Sequence, residues 1–160
     1  MLHKFKICCI MIVKKIYNAK RSLIMRIMGI DYGDRRIGVA VTDPLGITAQ
    51  GVSTVQNRGP EKVKLEFIKL IEEYNPEKIV LGLPKNMDGS LGFRAEATYE
   101  FAELLKSITG KEIIFWDERL TTVSAAQILN TTNVRGKDRK NVIDTVSACI
   151  ILENYMASLK

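Results

Sequence analysis

Residues 27–41, Ile-Met-Gly-Ile-Asp-Tyr-Gly-Asp-Arg-Arg-Ile-Gly-Val-Ala-Val, narrow the possible folds more than any other stretch of this chain. Two apolar runs, Ile27–Ile30 and Ile37–Val41, read as strands joined by a tight turn. Gly33 lets the chain reverse there or lie close to a ligand. Asp31 ends the first strand beside an open loop, where a carboxylate can hold a hard divalent cation. The same residues also satisfy an ordinary hairpin with a polar turn, and the two readings are compatible.

Composition sets the frame for that hairpin. The chain has 160 residues, 46% of them hydrophobic, which suits one domain with a full core. Its net charge of +6 invites a nucleic-acid partner. All six of those charges can be assigned to residues 1–24, where Lys4, Lys6, Lys14, Lys15, Lys20 and Arg21 stand without a single acid. Residues 25–160 carry 18 basic and 18 acidic side chains, so basic surface on the core must be a local patch. The apolar patch Ile7–Val13 is too short to span a membrane, and no membrane partner is expected. Residues 1–24 are read as a basic extension outside the fold, and residues 25–160 as the domain. Three cysteines without a C-x-x-C suit a reducing, cytoplasmic compartment. The single histidine, His3, lies outside the domain, which excludes Ser-His-Asp, Cys-His and histidine-zinc chemistry from the core.

Along the chain, strands are expected at 26–31, 36–42 and 47–55, with a turn at Asp43-Pro44-Leu45-Gly46. A helix at 61–74 presents Val63, Phe67, Leu70, Ile71 and Tyr74 on one face and ends at Asn75-Pro76. A fourth strand follows at 78–83. Strand–helix–strand order implies a right-handed crossover to a parallel neighbour. The loop after Lys85 could face a phosphodiester. A helix at 94–108 buries Ala95, Tyr99, Ala102, Leu105 and Ile108, and a fifth strand at 112–116 rises into Asp117-Glu118-Arg119. A helix capped by Thr121 or Thr122 runs to about Leu129. Residues 130–140 form a polar, basic loop, and the final apolar helix spans about 141–156.

Three carboxylate positions recur at element ends: Asp31, the Asp117-Glu118 pair and Asp144. Strand alternation lets only one of the pair face a common site. Glu118 is the choice, with Asp117 free to order the turn or pair with a nearby basic residue. Asp144 amid apolar helical residues costs desolvation unless it is paired, for instance with Lys140 four residues earlier, or ligates a metal. Clustered carboxylates with oxygen donors suit two Mg²⁺ or Mn²⁺ ions about 4 Å apart, which can activate water and relieve charge in phosphodiester hydrolysis. Arg35, Arg36, Asn86, Arg94, Arg119, Arg135, Lys137, Arg139 and Lys140 are candidates for holding the nucleic acid.

Residues 27–43, 82–90 (Gly-Leu-Pro-Lys-Asn-Met-Asp-Gly-Ser), 116–122 (Trp-Asp-Glu-Arg-Leu-Thr-Thr) and 139–144 (Arg-Lys-Asn-Val-Ile-Asp) closely resemble the YqgF/RuvX family. The resemblance covers about residues 25–157. It implies an α/β, RNase H-like fold: a mixed five-stranded sheet with helices on both faces, an antiparallel meander of three strands followed by two parallel strands. It implies Asp31, Glu118 and Asp144 as catalytic, metal-holding acids. The family's members are described as Holliday-junction resolvases and as nucleases maturing the 5′ end of pre-16S rRNA. Precursor rRNA or branched DNA is therefore the expected partner, acted on by a monomer or a homodimer. Two other readings compete: an ATP-binding domain of the actin kind, built on Asp31-Tyr32-Gly33, and a non-catalytic ribosome-assembly factor.

Overall fold

A computed structural model describes residues 26–85, 89–117 and 137–159, the stretch 137–143 by backbone alone. Residues 1–24 and the expected helix to Leu129 lie outside these. The described elements run β1 (Ile27–Tyr32), β2 (Arg36–Thr42), β3 (Ala49–Gln56), α1 (Pro60–Tyr74), β4 (Lys78–Leu83), α2 (Phe93–Thr109), β5 (Ile113–Asp117) and α3 (Lys137–Ser158). The strands form one sheet in the order β3-β2-β1-β4-β5. β1 pairs antiparallel with β2 and β2 antiparallel with β3, while β4 runs parallel to β1 and β5 parallel to β4. This is the mixed RNase H-like architecture expected.

Alternation along the strands sorts side chains to two faces. Met28 and Ile30, Ile37, Val39 and Val41, and Ile79 and Leu81 pack with Val63 and Phe67 of α1 and Phe101, Ala102 and Leu105 of α2. The intervening positions turn to α3. There Ala40 meets Ala148 and Leu152, and Val80 meets Ile151 and Tyr155. Gly29, Gly38 and Gly51, on three adjacent strands, let α3 lie almost against the sheet backbone. A Cβ on Gly29 would stand 2.7 Å from the Leu152 Cβ, and one on Gly51 would stand 2.8 Å from the Thr145 Cβ.

Three boundaries or faces differ from expectation. β3 starts at Ala49 rather than Ile47, because the Asp43 carboxylate accepts the N–H groups of Leu45, Ile47 and Thr48 and holds the chain in its turn. α3 starts at Lys137 rather than 141, so Lys137, Arg139 and Lys140 belong to a helix and not to a loop. Lysine and arginine are good helix formers that carry no apolar period, so the pattern hides their helicity. On α2, Thr98 and Phe101 are buried while Tyr99 is 37% exposed and stacks edge-on with Phe115. The other expected helix ends hold: the N–H of Asn75, left-handed at φ 43°, donates to the Ile71 carbonyl, and Gly110 closes α2.

Candidate active site

Asp31 occupies the last-but-one position of β1 and faces α3, as Gly29 does two residues before it. Its cross-strand partner on β2 is Gly38. A Cβ on Gly38 would overlap the Asp144 carbonyl, so the glycine allows the backbone of α3 at Asp144 to settle directly beside the Asp31 position. Two acids 113 positions apart in sequence thus meet on one face of the sheet.

Electrostatics register the meeting. The pKa of Asp31 is raised from 3.8 to about 6, first by loss of water around it and then by the nearby Asp144 carboxylate. Two groups oppose the rise: the Ser147 hydroxyl, which donates to the Asp31 carboxylate, and the Arg94 guanidinium at the start of α2. Ser147 lies three residues after Asp144, one helical turn on, and so shares its face. Asp144 is also pushed up by burial, against the pull of Arg36. The Arg36 Nε stands 2.7 Å from Asp144 Oδ2, yet neither atom makes a directed hydrogen bond, so the contact is one of charge.

Of the expected residues, then, the fold brings Asp31, Asp144, Arg36 and Arg94 together. Arg35 is exposed on the β1–β2 turn next to them. Asp117 pairs with Lys85 at 3.2 Å, which bears out its expected engagement by a basic residue. It follows Phe115 in the pleat and so belongs to the α2 side of the sheet, away from Asp31. Glu118, Asn86, Arg119 and Arg135 lie outside the described residues, as do the side chains of Lys137, Arg139 and Lys140. Among the described residues no group of three or more His, Cys, Asp or Glu side chains gathers. Sequence reasoning missed Ser147, although its i+3 spacing from Asp144 was a usable signal, and it missed the Arg36–Asp144 contact, which is tertiary.

Residues 25–158 match the family model described as "RuvX: Holliday junction resolvase". The chain belongs to the RuvX family. Among RuvX relatives, a Halothermothrix orenii protein named "Putative pre-16S rRNA nuclease" is 53% identical over 133 residues, covering 82% of this chain and 94% of that protein. A Clostridioides difficile protein of the same name is 50% identical over 131 residues, covering 82% and 93%. The RuvX match begins at residue 25 and leaves residues 1–24 outside it. Solved structures share the fold. Thermus thermophilus RuvC in complex with a Holliday junction superposes with a TM-score of 0.53 at 12% identity, covering 84% of this chain and 96% of that one. A fowlpox virus resolvase bound to junction DNA gives 0.54 at 14% identity, covering 84% and 99%. Among the described residues of this RuvX chain, no helix is long and apolar enough to cross a membrane.

Proposed function

We propose that this RuvX chain is a divalent-metal-dependent nuclease that hydrolyses phosphodiester bonds in precursor 16S rRNA. The observation that carries this is the convergence of Asp31 and Asp144 on one sheet face, within electrostatic reach of each other. The relatives' shared name supports the substrate. A cytoplasmic location goes with that substrate.

The donor set fits Mg²⁺ or Mn²⁺. Both acids offer hard oxygen ligands, their mutual repulsion lifts Asp31, and the Asp144 Oδ2 has no hydrogen bond to lose. Asp31 and Asp144 would hold the metal, and Glu118 is proposed to join them as the third acid. When bound, such ions supply Lewis acidity at the scissile phosphate and a water of lowered pKa. The remaining work falls to this chain's own groups. Ser147 orients the Asp31 carboxylate and favours its ionised form. Arg94, close enough to Asp31 to pull its pKa down, offers a cation for the phosphate that arrives there. The packing of α3 on Gly38 and Gly29 keeps Asp144 in register with Asp31 without a flexible linker.

A second substrate, a four-way DNA junction, is favoured by the family's description and by the fold shared with RuvC. Offering precursor rRNA in ribosomal particles and branched DNA side by side, with Mn²⁺, decides between them. Trimming of the rRNA with intact junctions supports the proposal, and cleavage of junctions alone replaces it. Cleavage of neither, with substrate binding kept, returns the chain to a non-catalytic assembly factor.

A further inference from the structure

β3 forms an outer edge of the sheet, and α1 follows it after a short loop. A cleft of about 430 Å³ lies between the two, lined by Ser53, Gln56, Arg58, Lys62, Glu66 and Lys69 among others. Three cations line it against one acid, and Lys69 already holds that acid, Glu66, at 3.0 Å. Arg58, Lys62 and Lys69 are all exposed. Lys62 and Lys69 are seven positions apart and share a face of α1, with about 10 Å between them along the axis. That is the length of about three phosphates on one strand of a duplex. In a core of 18 basic and 18 acidic side chains, such a patch is a local excess of positive charge.

The cleft opens on the α1 side of the sheet, opposite the α3 face that carries Asp31 and Asp144, and is linked to that site through the β1–β2 turn. Gln56, one of its lining residues, is the cross-strand partner of Arg36, whose Nε meets Asp144. The Asn57 N–H donates to the Arg35 carbonyl at 3.0 Å, and the Asn57 amide reaches the Gly33 carbonyl at 3.3 Å. The loop carrying Arg58 is therefore tied to the β1–β2 turn that carries Arg35 and Arg36. The turn thus places Arg35 and Arg36, with Asp34 beside them, at the same end of the sheet as Arg58.

We infer that the cleft between β3 and α1 is a second binding site for the nucleic-acid backbone, holding phosphates of the substrate strand beyond the point of cleavage. The inference rests on the nuclease reading and adds the path of the strand to it. Arg58, Lys62 and Lys69 contact phosphates there, and Gln56, Ser53 and the exposed sheet edge offer polar groups to the sugars. The hydrogen bonds that tie the Arg58 loop to the turn beside the acidic pair favour a nucleic acid that reaches both over an acidic peptide strand added to the β3 edge.

The test compares the full chain with its Arg58→Ser/Lys62→Ser/Lys69→Ser variant by fluorescence anisotropy. Two labelled RNAs are used, one long enough to reach from the acidic site into the cleft and one too short to do so. The variant should bind the long RNA 10- to 100-fold more weakly at low salt, with a log–log salt slope shallower by about 2, as three lost contacts to a single strand require. It should bind the short RNA as the parent does and keep the parent's melting temperature. Parent-like affinity and slope on the long RNA overturn the inference, and so does an equal loss on both RNAs. Retained RNA binding with loss of a polyglutamate probe also overturns it and assigns the cleft to acidic peptides. A parent chain that binds neither RNA overturns the nuclease reading along with it.

Discussion

The backbone carbonyl of Asp144 lies where a Cβ on Gly38 would have to stand. This contact brings the two acids together, since Gly38 is paired with Asp31 across the β1–β2 ladder. Gly38→Ala sets a methyl group against helix backbone, which cannot rotate away as a side chain can. We predict a loss of about 3 kcal/mol, the upper end of ordinary overpacking, together with loss of hydrolysis as α3 lifts from the sheet. Denaturant midpoints check the first part. A variant as stable as its parent contradicts the packing described.

The raised pKa of Asp31 makes stability depend on pH in a defined direction. The folded chain holds this proton up to about pH 6, the unfolded chain only to about 3.8. Between those values the folded state binds more protons, so stability falls as pH rises, by about 3 kcal/mol in all, and is level above. Burial of Asp144 acts in the same sense. In EDTA, Asp31→Asn should gain on the parent between pH 4 and 6 and keep the gain at pH 8. A difference between parent and variant that does not change across this range contradicts the assignment.

Arg36 and a divalent cation compete for Asp144. The guanidinium sits 2.7 Å from the carboxylate oxygen that a metal would use. Arg36→Gln should therefore tighten Mn²⁺ binding, by about tenfold or ~1.4 kcal/mol for one removed charge near a half-buried site. Calorimetric titration reads this directly. Weaker Mn²⁺ binding would mean that Arg36 supports the site instead.

Ser147 favours the ionised form of Asp31 by donating to it. Ser147→Ala should raise the pKa of Asp31 above about 6 and move the acid limb of the pH–rate profile upward, with the plateau rate little changed. An unshifted limb would remove Ser147 from the site.

Much of the fold was legible because strand alternation and helix periodicity report burial directly, as for Ile37, Val39 and Val41 or Val63 and Phe67. Asp31 and Asp144 stood out because carboxylates among apolar neighbours need a reason to be there. Other features were hidden for physical causes. The Asp43 side chain, bonding three amides ahead of it, delays β3. The charged first turn of α3 has helical propensity without an apolar period. Arg36 against Asp144, Ser147 against Asp31 and the Arg58–Lys62–Lys69 cleft arise from contacts between elements. No local pattern announces those.

Mn²⁺-dependent trimming of precursor 16S rRNA, presented in ribosomal particles to the parent chain and to Asp31→Asn and Asp144→Asn, tests the central claim most directly. Circular dichroism confirms the fold of each. The parent should cleave, and each variant should lose at least about a hundredfold in rate, the scale of removing one group that acts only in the transition state. Parent-like cleavage by either folded variant would contradict a shared catalytic role for the two acids.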